Sequence, residues 1–130
     1  MSEMYTERLL DHVRHPRRKG LLAADDMGTP GQVLAAEEYN PLCGDRVTFQ
    51  VWLADGRVAK ARFEGRGCAL CLGAASILAE VVEGQALDTL QAMDQDSFLS
   101  ELRSEVRPAR LRCALLPWVA FRRAAFGEES

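Results

Sequence analysis

The chain has 130 residues, of which 48% are hydrophobic and 27% charged, as expected of a globular protein with one hydrophobic core. Its formal net charge of −3 argues against a nucleic-acid-binding surface, because phosphate binding needs a basic stripe. The longest uncharged apolar stretch, residues 68–79, is far shorter than the roughly 20 residues of a membrane span, and no export signal is recognisable. We therefore expect a single domain, residues 1–130, in the cytoplasm. There, the 4 cysteines indicate metal binding or catalysis and not disulfides.

The first half of the chain predicts one helix and a β-hairpin. Apolar residues recur at helical spacing over residues 3–15, and Pro16 ends this pattern. After a region punctuated by glycine and proline, residues 32–37 are predicted to form a short edge strand. Residues 46–54 and 57–65 alternate apolar and polar side chains on either side of Asp-Gly, a favoured two-residue turn. This pattern predicts an antiparallel hairpin.

The second half predicts helices. Residues 69–82 carry few polar side chains and are followed by Gly84, so we expect a largely buried helix that ends there. Two short helices are predicted at residues 87–93 and 95–103. Pro108 opens a last helix, in which Pro117 predicts a kink or a late start because it removes a backbone hydrogen bond. The order of elements predicts an α+β fold, with helices packed on one face of a small antiparallel sheet of about three strands.

Three cysteines and one aspartate are the candidate metal ligands. Cys43 and Asp45 flank Gly44 directly before the first hairpin strand, so both side chains can turn toward one point. Cys68 precedes the buried helix, whose dipole favours the thiolate that binds metals and attacks sulfur. Cys113 lies near the start of the last helix. Each thiol taken alone is more often a packing residue, but three thiolates and a carboxylate together would complete a tetrahedral zinc shell.

Two further sets of potential ligands have simpler interpretations. Cys71 forms a Cys-x-x-Cys pair with Cys68, and such pairs bind zinc or form redox disulfides. Because Cys71 falls about one turn into the buried helix, we expect it to pack in the core, with a resolving thiol or an alternative ligand as open alternatives. His12 and His15 lie three residues apart on the first helix with no thiol near them in sequence. We expect surface or packing roles for both histidines.

The chain resembles the U-type iron–sulfur cluster scaffold family, which covers IscU, SufU and the N-terminal domain of NifU. The resemblance rests on four segments in the same order: Tyr-Thr-Glu-Arg-Leu-Leu-Asp-His (5–12), Asn-Pro-Leu-Cys-Gly-Asp (40–45), Gly-Arg-Gly-Cys (65–68) and Arg-Leu-Arg-Cys (110–113). It implies a small α+β domain that binds zinc or a nascent [2Fe–2S] cluster at one exposed end. Cys43, Asp45, Cys68 and Cys113 match the ligand positions of the family. The resemblance also implies a PLP-dependent cysteine desulfurase as sulfur donor.

Departures from the family pattern bear on function. Arg112 stands where IscU proteins have a histidine, and a guanidinium cannot replace an imidazole as ligand or proton carrier. A basic residue there resembles SufU, a zinc-dependent sulfurtransferase, whereas the short interval from Cys68 to Cys113 resembles IscU. The segment by which IscU engages its Hsp70 chaperone is reduced to Val-Arg-Pro-Ala-Arg at residues 106–110. Recognition by such a dedicated chaperone is therefore not expected.

We therefore expect a protein of iron–sulfur cluster biogenesis that accepts sulfur from the desulfurase. It would bind zinc or assemble a [2Fe–2S] cluster for delivery to apo iron–sulfur proteins. Cys43, on its glycine-flanked loop, is the first expected sulfur acceptor and Cys113 the second, and Asp45 is the expected labile ligand. The alternative is a structural zinc-binding domain that acts only as a protein-interaction module. A zinc hydrolase is disfavoured, because no histidine ligand or general-base glutamate accompanies the cysteines.

Overall fold

A three-stranded antiparallel sheet and five α-helices make up the part of the chain, residues 5–22 and 31–128, that the computed structural model describes. The elements in chain order are α1 (Glu7–Arg14), β1 (Gln32–Asn40), β2 (Asp45–Ala54), β3 (Arg57–Arg66), α2 (Ala69–Val82), α3 (Leu87–Ala92), α4 (Gln95–Glu101) and α5 (Leu111–Phe126). The strands follow the order β1-β2-β3, so β2 is central and pairs with both neighbours.

The hairpin predicted from residues 46–65 is confirmed as β2 and β3. Val47 and Phe49 of β2 are fully buried, whereas the residues on either side of them are more exposed, as the alternation predicted. Asp55 and Gly56 in the turn have φ angles of 54° and 72°. Positive φ at both central positions is what a two-residue hairpin loop needs to match the twist of its strands.

β1 is longer than the strand predicted at residues 32–37. Its pairing with β2 is continuous from Gln32 opposite Leu53 to Asn40 opposite Asp45. The prediction stopped too early because two consecutive glutamates break the apolar alternation there. An edge strand tolerates such charges, since one of its faces and one of its edges remain accessible to water.

The helices α2 and α5 pack against the sheet and enclose the core. The predicted bounds of α2, residues 69–82, are confirmed, and most of its side chains are buried. Phe121 of α5 meets Phe49 of β2 edge to face, with ring centroids 5.7 Å apart. The short helix α1 packs on α2 at Gly73. A side chain at this position would not fit, because its Cβ would lie 2.8 Å from a methyl carbon of Val13. The predicted α+β fold is therefore confirmed.

The remaining helix bounds differ from the predictions by a few residues. α1 begins at Glu7 because the side chain of Thr6 caps it, accepting a hydrogen bond from the N–H of Leu9 at 3.4 Å. Residues 3 and 4 of the predicted helix lie outside the described residues. α3 and α4 end one and two residues before their predicted ends. Among the described residues, no helix is both long and apolar enough to cross a membrane.

The last helix begins at Leu111, and Pro117 lies inside it, so the late start predicted as one effect of Pro117 is wrong. A single 3-10 turn, Pro108–Arg110, comes first, and α5 then runs from Leu111 through Pro117. Because proline has no N–H, the carbonyl of Cys113 receives no hydrogen bond from the residue four positions later. The start of α5 lies at the same end of the sheet as the β1–β2 loop and the β3–α2 junction, so three chain segments meet there.

Candidate metal centre

The loop between β1 and β2 presents Cys43 to solvent. Asn40 closes this loop twice: its carbonyl accepts a hydrogen bond from the N–H of Gly44 at 2.8 Å, and its Oδ1 accepts one from the N–H of Leu42 at 3.1 Å. Gly44 has a φ of +80°, which side-chain-bearing residues rarely adopt. The resulting turn leaves the thiol of Cys43 exposed at the end of the sheet, with the largely exposed Leu42 beside it.

Asp45 begins β2 and turns its carboxylate inward. The residue is only 2% exposed. Its Oδ1 accepts a hydrogen bond from the backbone N–H of Cys68 at 3.2 Å, and the thiol of Cys68 lies 3.6 Å from its Oδ2. Gly67 permits this approach, because a Cβ at that position would lie 2.8 Å from the Cγ of Asp45. The Gly-Arg-Gly-Cys segment thus serves to bring the β3–α2 junction against Asp45.

Cys68 is the N-cap residue of α2. Its Sγ accepts a hydrogen bond from the N–H of Cys71 at 3.5 Å, as a serine or aspartate oxygen does in most helix caps. The positive end of the helix dipole is directed at this sulfur. The sequence pattern predicted this position at the junction between strand and helix.

Cys113 lies in the first turn of α5 and is 7% exposed. Burial, followed by repulsion from the neighbouring sulfur of Cys68, raises the pKa of Cys113 to about 12. The guanidinium of Arg110 lines the same pocket as these sulfurs, and their proximity raises the pKa of Arg110. Its positive charge opposes part of the rise in the pKa of Cys113. A bound metal ion would oppose that rise more strongly, since metal ligation deprotonates a thiol outright.

Three of the four predicted ligand residues converge. The Sγ atoms of Cys43 and Cys113 and a carboxylate oxygen of Asp45 all lie within 4.8 Å of one another. Two sulfur ligands of a tetrahedral zinc ion are about 3.8 Å apart, so small side-chain movements would let this set share an ion. Thiolates with one carboxylate suit zinc or iron. Cys68 is not part of this set and borders it through its contact with Asp45.

All four predicted ligand residues line one open pocket of about 520 Å³, which we call the thiol pocket. Arg110 and Arg112 line the same pocket, and both are exposed. The sequence pattern drew attention to Arg112 and missed Arg110, whose charge lowers the pKa of Cys113. The available signal was spacing: Arg110 precedes Cys113 by three positions, and residues three apart lie on the same side of a helical turn.

The other candidate ligands lie away from this pocket. Cys71 is fully buried in the core, and burial raises the pKa of its thiol well above the usual range. His12 is buried against α2, with its Nδ1 2.7 Å from the Oγ of Ser76 and its Nε2 3.5 Å from a carboxylate oxygen of Glu80. His15 is exposed. The expected packing role of Cys71 and the surface or packing roles of the histidines agree with these positions.

The site thus combines a small α+β fold with two thiols and a carboxylate that converge at one end of its sheet, a donor set that could hold a metal ion. Residues 4–127 match the model of the NifU-like N-terminal domain family. The chain therefore belongs to the NifU-like N-terminal domain family, and the resemblance to U-type scaffold proteins is confirmed.

Relatives carry two different names. The chain is 27% identical to the zinc-dependent sulfurtransferase SufU of Bacillus subtilis, over 99% of this chain and 94% of that protein. It is 31% identical to the iron–sulfur cluster assembly scaffold protein IscU of Escherichia coli, over 86% of this chain and 84% of that protein.

Solved structures share the fold. A SufU protein of Fervidobacterium islandicum superposes with a TM-score of 0.73 at 21% identity, covering 95% of this chain and 98% of its own. The N-terminal part of a NifU-like protein from Brucella abortus gives a TM-score of 0.72 at 23% identity, covering 99% and 98%.

Proposed function

We propose that this chain accepts sulfur from a PLP-dependent cysteine desulfurase for iron–sulfur cluster assembly and binds zinc or a nascent [2Fe–2S] cluster in the thiol pocket. The observation that carries the proposal is the position of Cys43. Its thiol is exposed to an outside donor, yet it lies within 4.8 Å of both the Cys113 sulfur and the Asp45 carboxylate. One residue can therefore meet a partner's persulfide and belong to an internal ligand set. Family membership supports this proposal, since relatives carry the names sulfurtransferase and cluster assembly scaffold.

Cys43, Asp45, Cys68 and Cys113 are the proposed ligands. A bound zinc or iron ion would keep their thiols deprotonated at neutral pH. Asp45 is the ligand proposed to leave most easily, because a carboxylate is a harder and weaker partner for these metals than a thiolate. When it leaves, its Oδ1 still accepts the hydrogen bond from the N–H of Cys68, so the carboxylate has a resting position.

Sulfur transfer then follows the course of thiol–disulfide exchange. The thiolate of Cys43 attacks the terminal sulfur of the donor's persulfide, forming a new S–S bond on Cys43. The S–S bond of the donor breaks, and its cysteine departs as a thiolate. The proton of the persulfide stays with the transferred sulfur, so atoms and charge balance without an added oxidant. Cys113, next to Cys43 in the pocket, is the proposed second acceptor.

The two arginines of the pocket favour sulfur transfer over long-term cluster storage. Arg112 occupies the position of the IscU histidine, and its guanidinium offers no lone pair to a metal. Arg110 lies in the same pocket, and its positive charge opposes the rise in the pKa of Cys113, which favours the thiolate of that residue. Anaerobic incubation with iron, sulfide and desulfurase separates the two activities. A stable visible absorption band with transfer to an apo-protein favours a scaffold, and desulfurase activation by the zinc form without cluster retention favours sulfur transfer.

The proposal is tested by loading sulfur onto a Cys43→Ser variant. The wild type and a Cys71→Ser control should each gain the mass of one sulfur atom on incubation with desulfurase and cysteine, as measured by mass spectrometry of the intact chain. Cys43→Ser should lose most of this gain while keeping its circular dichroism spectrum, because Cys43 is exposed. If Cys43→Ser unfolds instead, the alternative of a structural zinc domain is favoured. If it folds and takes up sulfur as the wild type does, Cys43 is not the acceptor.

A further inference from the structure

A basic cluster on the outer sheet face, opposite the helices, lies beside the thiol pocket. The register between β2 and β3 places Arg46 directly opposite Arg66, and both side chains are exposed. Together with Lys19 and Tyr39 they line an open pocket of about 730 Å³. We call Lys19, Arg46 and Arg66 the outer basic cluster. Two carboxylates, those of Glu37 and Glu64, line the same pocket.

The facing arginines are an unfavourable arrangement for the isolated fold. Like charges directly opposite each other on neighbouring strands destabilise a sheet. Two contacts partly compensate the charge of Arg46. Its guanidinium carbon lies 5.1 Å from the centroid of the Tyr39 ring, and its Nε lies 3.9 Å from a carboxylate oxygen of Glu37. Within residues 5–22 and 31–128, no ion pair to Arg66 is present. Opposing anions from outside the fold would relieve this repulsion.

The position of the cluster couples it to the sulfur acceptor. Gly44, the neighbour of Cys43, lines both the pocket of the basic cluster and the thiol pocket. Tyr39 and Leu42, which are 51% and 82% exposed, flank the same loop. Tyrosine and arginine are enriched among the residues that dominate binding energy at protein interfaces. A protein large enough to bring a persulfide to Cys43 would also cover this surface.

We propose that the outer basic cluster binds an acidic segment of the protein that delivers sulfur to Cys43. The occupant is a stretch of polypeptide with at least two carboxylates, one for each of Arg46 and Arg66, whose planar guanidinium groups can bind carboxylates bidentately. The chain as a whole has a net charge of −3, so this local excess of cations is a distinct feature of the surface. The inference rests on the proposed function, because it assigns the recognition of the sulfur donor.

Binding of purified PLP-dependent cysteine desulfurase, measured by isothermal titration calorimetry, tests the proposal directly. An Arg46→Gln/Arg66→Gln variant removes both charges without introducing new ones, and Lys60→Gln, at the other end of the same sheet face, is the matched control. The double variant should bind about tenfold or more weakly, as expected for lost charge complementarity, while the control should remain close to the wild type. The double variant should also melt at a higher temperature than the wild type, because the facing charges are gone.

A second readout separates this proposal from the proposed function. Sulfur uptake from cysteine persulfide, a small donor that needs no docking surface, should be equal in the double variant and in the wild type. If the wild type takes up sulfur from neither donor, the proposed function is wrong, and the calorimetry still reports on docking. The docking proposal is overturned if the double variant binds desulfurase as tightly as the wild type does. It is also overturned if the variant takes up sulfur more slowly from both desulfurase and cysteine persulfide, by the same factor.

Discussion

Cys68 and Cys71 lie one turn apart at the start of α2, yet they belong to two different regions of the molecule. Cys71 is fully buried between the sheet and the helices, and that burial raises the pKa of its thiol. Cys68 is half-buried, contacts the carboxylate of Asp45 and lines the same pocket as Arg110. We call the sheet with the helices packed on it the packed body, and apolar burial stabilises it. We call the end of the sheet that carries the thiol pocket the thiol end, and close backbone approach and polar contacts stabilise it. Substitutions in the two regions should therefore change different properties.

The largest expected effect is the loss of stability from a truncation in the packed body. Phe63 of β3 is fully buried, and Phe63→Ala should lower the free energy of unfolding by about 3–5 kcal/mol, because it loses apolar burial and leaves a cavity. Cys43→Ser, at the exposed thiol end, should change it by less than about 0.5 kcal/mol. Urea denaturation of both variants without added metal measures the difference. Equal losses would mean that the two regions are not energetically distinct.

The next effect concerns the release of metal or cluster from the thiol end. Asp45→Ala should hold its metal or cluster longer and pass it on about tenfold more slowly, because exchange would no longer begin at the most easily replaced ligand. The rate of zinc transfer to a chromophoric chelator, or of cluster transfer to an apo-protein, measures this. Unchanged metal retention and sulfur acceptance in Asp45→Ala would show that the carboxylate has no role in opening the site.

Gly67→Ala reaches the same carboxylate by a second route. The new Cβ would lie 2.8 Å from the Cγ and the Oδ1 of Asp45, so the carboxylate must move away from its present position. We expect Gly67→Ala to release zinc as slowly as Asp45→Ala. Gly67 is not among the glycines with a positive φ, so the clash with Asp45 is the change that this variant introduces. A fast-releasing Gly67→Ala variant with an intact fold would mean that Asp45 tolerates displacement.

A smaller effect is expected for Cys71, which tests whether the Cys-x-x-Cys pair has a chemical role. Cys71→Ala should lower the free energy of unfolding by about 1 kcal/mol, comparable to the loss of one buried methyl group. Sulfur acceptance should be unchanged, because the thiol lies in the core and not in the pocket. In the native wild type, iodoacetamide should alkylate Cys43 well before Cys71, as peptide mapping would show. A sulfur-loading defect in Cys71→Ala would restore the resolving thiol as an explanation.

The two regions also differ in how far sequence predicted them. The hairpin and α2 could be predicted, because alternation and a continuous apolar run are local signals. The Cys-Gly-Asp and Gly-x-Gly-Cys segments located the candidate site, since glycine beside a potential ligand indicates a tight backbone approach. The place of Arg110 in the pocket with Cys68 could not be derived, because it depends on how a 3-10 turn lies relative to the β3–α2 junction. The pairing of Arg46 with Arg66 needed the strand register, which local patterns do not supply.

The smallest expected effect lies inside the packed body, at its buried histidine. His12 contacts Ser76 and Glu80 of α2. The charged groups of Arg17, Arg8 and Asp11 also lie near it. Burial first, and then the nearby arginines, lower the pKa of His12 below its usual value of about 6.5. The unfolded chain therefore binds a proton more readily than the folded one. The stability that depends on neutral His12 is fully present above pH of about 6.5 and decreases as the pH falls from there through the lowered pKa.

His12→Gln should reduce this pH dependence, because glutamine does not titrate. The free energy of unfolding of the wild type should fall between pH 7.5 and 5, roughly the window set by the usual histidine pKa and its lowered counterpart, and the fall should be shallower in His12→Gln. His15→Gln, at the exposed residue that directly follows α1, is the control and should retain the wild-type slope. Chemical denaturation at each pH gives the three slopes. If the wild type and both variants lose stability in parallel as the pH falls, the acid sensitivity comes from the carboxylates alone. The titration of His12 then makes no contribution to the stability of the packed body.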